Sequence, residues 1–175
     1  DNRLEAKTKI FKIERGGNDE NKRSFQIDFD GNTCTQKFAY FSNGDVSTVF
    51  RYEGNEILPF PQELSRIFCG LPLIGTEDIG IPFLLNSLKF MPTTEREGVE
   101  LEPGSNEMNR ALDNARTYAS QSIDLYSDML NYVEANKLRN AFHIAHISRK
   151  YNGTQSSNQQ FYNLYMSQYR NHILN

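Results

Sequence analysis

Cysteine is scarce in this chain: Cys34 and Cys69 are the only two in 175 residues. Both sit among apolar or strand-forming neighbours. So sparse a pair excludes a disulfide framework and reads as buried free thiols in a reducing cytosol rather than as a bridge or a reactive site. Long hydrophobic runs are missing too, and none approaches the roughly 18 residues of a membrane-spanning helix. Charge of one sign is not in excess: the formal net charge is −3, which leaves no electrostatic footprint for nucleic acid. Gly70 and Gly75 lack the glycine-lysine-hydroxyl context of a phosphate loop. No repeat of fixed period is present, and no low-complexity tract beyond the polar stretch Gly153 to Gln160. These absences predict a cytoplasmic protein with neither a membrane nor a nucleic acid as partner.

With 38% hydrophobic and 23% charged residues, the composition is that of a globular domain. A chain of this length buries roughly 70% of its unfolded surface, so no metal or disulfide staple is required. The opening Asp1-Asn2-Arg3-Leu4-Glu5-Ala6 is neither a signal peptide nor a natural initiator, and predicts a piece of a longer protein.

The first third carries period-two patterning. Phe25, Ile27 and Phe29 alternate with Gln26 and Asp28, and Asp30-Gly31-Asn32 reverses the chain. Thr33 to Phe41 then places Cys34, Phe38 and Tyr40 on one face. Asn43-Gly44 turns the chain again, and Val46, Phe50 and Tyr52 continue the alternation. Ile10 to Ile13 predicts a preceding strand, separated by a polar loop from Gly16 to Arg23. Gln62 to Phe68 reads either as a short helical turn after Pro61 or as an extended lead-in. Ile79 to Met91 predicts a long strand beginning near Pro82.

From Gly104 the period becomes helical. Ser105 is a candidate cap, and Met108, Leu112, Ala115, Ala119, Ile123, Tyr126, Met129 or Leu130, and Val133 trace one face up to Asn136. A second helix is predicted from Leu138 to Tyr151, with Phe142, Ala145 and Ile144 or Ile147 facing inward. A third begins near Ser156 or Ser157 and carries Phe161, Leu164, Tyr165, Tyr169 and Ile173. The expected class is α+β: a mostly antiparallel sheet over 1–103 and about three helices over 104–175, packed on the same core.

Few residues invite a chemical role. His143 and His146 have a spacing that brings two imidazoles to one helix face as metal ligands, but no acidic or cysteine partner completes a set, so structural histidines are expected and no metal. His172 carries no signal. Glu95 and Glu97 flank Arg96; without a nucleophile or histidine nearby they read as solvated turn carboxylates rather than an acid–base pair. Asn152-Gly153-Thr154 matches a glycosylation acceptor that only a secreted protein uses. The tyrosines of the last helices read as core and interface aromatics.

The most distinctive segment is Leu71-Pro72-Leu73-Ile74-Gly75-Thr76-Glu77, followed by Ile81-Pro82-Phe83-Leu84-Leu85-Asn86-Ser87 and Phe90-Met91-Pro92-Thr93-Thr94-Glu95-Arg96-Glu97-Gly98-Val99. With Phe68-Cys69-Gly70 ahead of it, this segment resembles the region after the ATP-binding domain of bacterial sacsin-like proteins. Those proteins begin with a GHKL (Bergerat-fold) domain of the kind found in DNA gyrase, histidine kinases and the ninety-kilodalton heat-shock chaperones. The resemblance is clearest from Pro59 to about Glu102.

The resemblance implies a non-catalytic, transducer-like coupling module, chaperone-like in its work of relaying nucleotide state to a client. In the heat-shock chaperones an arginine in a strand-to-helix turn approaches the ATP γ-phosphate, and Arg96 is the matching position. A guanidinium is suited to charge developing on a transferring phosphate; the alternative is an arginine with a purely structural role. The ATP-binding asparagine helix, the aspartate motif and the glycine-rich lid of GHKL proteins are absent, so the chain by itself is expected to be no enzyme and to hold no cofactor. ATP and Mg belong to the parent protein, and the expected partners are its upstream GHKL domain and an unknown client. The competing reading is a stand-alone protein-interaction module.

Overall fold

A computed structural model of the chain describes residues 12–16, 19–29, 32–101, 106–148, 150–151 and 153–174. Eight strands precede three helices: β1 (Lys12–Gly16), β2 (Asp19–Phe29), β3 (Asn32–Ser42), β4 (Ser47–Glu53), β5 (Glu56–Leu58), β6 (Ile67–Cys69), β7 (Leu71–Pro72), β8 (Leu84–Asn86), α1 (Asn106–Ala135), α2 (Phe142–Ala145) and α3 (Ser156–Leu174). They form one sheet in the order β1-β2-β3-β4-β8-β6-β7, with β5 on β4. Every pairing is antiparallel except β6 with β8. The α+β expectation holds. No helix among the described residues is long and apolar enough to cross a membrane.

The meander follows the turn chemistry. Between β3 and β4 the Asn43 side-chain oxygen accepts from the amides of Asp45 and Val46, and Gly44 takes a φ of 99° that a side chain resists. The tip at Asp30 and Gly31 lies outside the described residues, but Phe29 pairs with Asn32 across it. Ile10, Gly104, Ser105 and Asn152 also lie outside them, as do the side chains of Phe25, Ile27, Phe29, Cys34, Met108, Leu112, His172 and Ile173.

Three expectations are corrected. The stretch from Gly16 to Arg23 is not a loop: Gly16 already pairs with Asp19, and β2 runs straight on. Its polar residues are useful there, since Asn21 donates to the Tyr40 carbonyl and the Arg23 guanidinium lies 5.1 Å from the centre of the Tyr40 ring. On β3 the face of Phe38 and Tyr40 is half-buried, and the alternate residues Ala39 and Phe41 are the buried pair. They lie on the face of Phe50, and Tyr132 of α1 packs edge-on to both Phe41 and Phe50. Phe38 instead stacks on Phe60.

The long strand from Ile79 to Met91 shrinks to β8. Ile79, Ile81, Phe83 and Leu85 are all buried at period two, but the chain bends at Ile79 and at Gly80, where φ is 82°, and again at Pro82 and Phe83. Only Leu84–Asn86, however, has both β4 and β6 beside it to bond. The second helix shrinks to the single turn α2. Ile144 and Ile147 are both buried, whereas Phe142 and Ala145 are exposed. The backbone on either side bonds elsewhere: Arg139 N–H donates to Asn55 O and Ser148 N–H to Gly80 O. Gln62 to Phe68 resolves into a turn followed by β6.

The long helix α1 is held by Ala115, Ala119, Ile123, Tyr126, Met129 and Val133, all buried. It ends in a Schellman closure, with Leu138 N–H on Val133 O, Lys137 N–H on Glu134 O, and Lys137 left-handed at φ 52°. α3 packs beside α1, and aromatic contacts fasten both helices to the sheet region: Phe83 on Tyr126, and Phe90 against Tyr118 and Phe161. The buried residues form one continuous cluster drawn from strands and helices alike.

Candidate functional site

The segment around Arg96 is built from three polar fastenings. Thr76 is fully buried, and its hydroxyl accepts from the amides of Arg66 and Ile67 while donating to Leu73 O at 2.7 Å. This closes the β6–β7 hairpin onto the turn that follows it. Arg66, also buried, donates to the carbonyls of Leu64 and Pro61; desolvation lowers its pKa, opposed by Glu77 and Asp78. At the hairpin tip Gly70 has φ 70° and donates its amide to the Asn86 side chain.

Arg96 stands in a loop closed on itself, not in a strand-to-helix turn. Pro92 bridges Val99, Thr93 N–H donates to Gly98 O, and Glu100 N–H donates to Met91 O. Within the loop Arg96 N–H bonds Thr93 O at 2.9 Å and Glu97 N–H bonds the Thr93 hydroxyl at 3.0 Å. Arg96 itself is left-handed at φ 56°, a conformation that a residue with a Cβ adopts at a cost.

The Arg96 side chain is half-buried and leans on the β6–β7 hairpin. One terminal nitrogen donates to Cys69 O at 3.4 Å and to Leu71 O at 3.3 Å, both long contacts. Among the described residues it forms no ion pair. Glu95 and Glu97 are exposed, as solvated carboxylates are. Among the described residues the guanidinium is held by carbonyl dipoles and no carboxylate pairs with it.

The same stretch of chain also exposes apolar side chains. The large hydrophobics exposed among the described residues are Leu71, Ile74, Leu88, Met91 and Phe142, and all but the last belong to this segment. Leu71 and Leu88 both border Gly70, where an added Cβ would stand 3.0 Å from the Leu88 side chain. Behind the loop lies a cavity of about 510 Å³ between Thr93, Thr94, Glu95 and Glu97 on one side and Ser156 and Ser157 on the other. Hydroxyls and carboxylates line it, a chemistry that repels a polyphosphate and offers no adenine slot.

Among the described residues the remaining candidates, Cys69, His143 and His146, stand apart from one another in the fold's elements. Cys69 is a free, half-buried thiol whose sulfur lies 3.0 Å from the Phe90 carbonyl oxygen. His143 is half-buried with its ring against Phe142, and His146 is exposed beyond the end of α2. Among the described residues no group of three or more His, Cys, Asp and Glu side chains stands close enough to hold a metal.

Sequence reasoning passed over Asn158. Its side chain is fully buried, and its amide nitrogen donates to Gly75 O at 2.9 Å and to Glu97 O at 2.8 Å. The available signal was a polar residue on the stripe that also carries Phe161, Tyr162 and Tyr165, where the helical period demands an apolar side chain. No protein-family model matches this chain, and no curated protein or solved structure was found to match it.

Proposed function

We propose that this chain is a coupling module of a sacsin-like GHKL ATPase in the bacterial cytoplasm, relaying nucleotide state to client or partner binding. The observation that carries the reading is the state of Arg96: left-handed, held by carbonyls and without a carboxylate partner among the described residues, in a segment that also exposes Leu71, Ile74, Leu88 and Met91. An arginine that meets a transferring phosphate in trans needs these properties. It must be charged, oriented in advance, and set in a surface that sheds water when a partner domain closes on it. ATP and Mg would be held by the upstream GHKL domain, with Arg96 the single group contributed by this chain.

The test is ATP hydrolysis by the full-length protein. Arg96→Ala is expected to lower turnover about 10-fold or more, on the scale of other phosphate-contacting arginines. Arg96→Lys restores little, because an ammonium lacks the planar fork. The isolated chain should give no heat of specific binding when titrated with Mg·ATP. Unchanged turnover in Arg96→Ala overturns the reading. The exposed apolar side chains equally serve a stand-alone interaction module, and the sequence upstream of Asp1 separates the two: a GHKL signature favours coupling, an unrelated domain the interaction module.

A further inference from the structure

We infer that Asn158 is the positioning residue that sets where the Arg96 loop stands, so that the first turn of α3 governs the orientation of that arginine. Both hydrogens of its amide are committed, one to the carbonyl of Gly75 and one to that of Glu97. These carbonyls belong to two different loops, the one after β7 and the one that carries Arg96. The loops are pressed together where Asn158 clasps them: a Cβ on Gly75 would stand 3.5 Å from Glu97 O. Gly98 rests directly on the clasp, because a Cβ there would lie 2.4 Å from the Asn158 carbonyl oxygen and 2.8 Å from the Ser157 hydroxyl.

The orientation of the amide follows from its partners, since two backbone carbonyls accept only from the nitrogen. That leaves the Asn158 oxygen buried without a hydrogen-bond partner. Leaving a buried acceptor unmet is unfavourable, so the residue is better explained by the two loops it registers than by net stabilisation. The clasp also connects onward into the helical part. Gln155, just ahead of α3, lies beside Gly75 and accepts from the Tyr151 hydroxyl, while Tyr162 donates to Ser148 O. A shift of α3 relative to the sheet would therefore move Glu97, and with it Arg96. This consequence rests on the functional reading of Arg96; the positioning itself does not.

Two measurements separate those layers. In this chain, hydrogen exchange is compared between the native protein and Asn158→Ala. The amides of Arg96 and Thr93, which close the loop, should exchange at least about 10-fold faster, with the amides of β3 and β4 unchanged. An unaffected Arg96 amide, or uniform acceleration through β3 and β4, overturns the inference and leaves Asn158 a residue of the general fold. In the full-length protein, Asn158→Ala should lower kcat for ATP hydrolysis at unchanged KM, and should cost nothing further when added to Arg96→Ala. If Arg96→Ala lowers turnover but Asn158→Ala does not, positioning by Asn158 fails while the role of Arg96 stands. If Arg96→Ala itself has no effect, the coupling reading fails and the exchange experiment decides the positioning alone.

Discussion

Replacing Arg96 by glycine separates the two things this residue does, holding a strained backbone and presenting a cation. At φ 56° a residue with a Cβ costs about 1–2 kcal/mol, and glycine removes that cost. Glycine also gives the unfolded chain more freedom, which returns roughly 0.5–1 kcal/mol to the unfolded side. The hydrogen bonds lost are the long contacts to Cys69 O and Leu71 O, together about 1 kcal/mol at most given their length and partial exposure. The sum lies within about 1 kcal/mol of zero, a melting-temperature change of about 2–4 °C or less in a chain this long. Lys137 is the control: it is also left-handed, at φ 52°, but exposed at the end of α1. Lys137→Gly should stabilise by about 0.5–1 kcal/mol from relief of strain alone. The assay pairs urea unfolding of the chain with ATP hydrolysis by the full-length protein. Arg96→Gly should leave stability near the native value while turnover falls about 10-fold or more; Lys137→Gly should leave turnover intact. A loss of more than about 3 kcal/mol in Arg96→Gly, beyond any sum of the terms above, would make Arg96 a structural arginine and refute the reasoning.

Gly80→Ala should destabilise by about 2–4 kcal/mol in urea, since φ is 82° and the new Cβ would meet the Ser148 Cβ at 2.7 Å; a loss under about 1 kcal/mol would mean the 146–148 segment moves aside freely. Stability should also fall in alkali. Burial, reinforced by neighbouring tyrosines, pushes the hydroxyls of Tyr126 and Tyr165 well above the ordinary phenol value. Their folded pKa exceeds the unfolded value near 10, so their contribution is intact below about pH 10 and lost above it, at about 1.4 kcal/mol per pH unit for each tyrosine. Tyr165→Phe should remove one such share from the slope of unfolding free energy against pH between about pH 10 and 12; an unchanged slope would show that this hydroxyl ionises in the folded protein.

How far the sequence disclosed this fold depended on whether each element is specified locally. α1 and α3 were legible because their buried stripes, such as Ala115, Ala119, Ile123 and Tyr126, recur at the helical period within one segment. The alternation of Ile79, Ile81, Phe83 and Leu85 was equally legible, but the length of β8 was not, because a ladder needs neighbours and β4 and β6 reach only Leu84–Asn86. On β3 both faces carry aromatics, so the sequence left open which is buried. Which one is inside depends on Tyr132, some ninety positions away, meeting Phe41 and Phe50. The segment from Leu138 to Tyr151 has helical spacing and inward Ile144 and Ile147, yet only α2 bonds to its own preceding turn, while Arg139 and Ser148 on either side bond to Asn55 and Gly80.

The candidate site divides along the same line, and the division bears on what Arg96 is for. That a cation sits in a polar turn was readable; that it leans on the carbonyls of Cys69 and Leu71, free of Glu95 and Glu97, depends on the β6–β7 hairpin. Three residues other than glycine are left-handed among those described: Arg96, Lys137 and Asn140. Two have local reasons. Lys137 terminates α1, and Asn140 adopts this conformation at little cost as it leads into the turn of α2. Arg96 ends no helix, and the loop it occupies would accept glycine with less strain. A strained residue kept where a smaller one suffices is better explained by its side chain than by its backbone. The guanidinium, resting on the carbonyls of Cys69 and Leu71, distinguishes arginine from glycine at this position, and a cation is what the proposed coupling role would require.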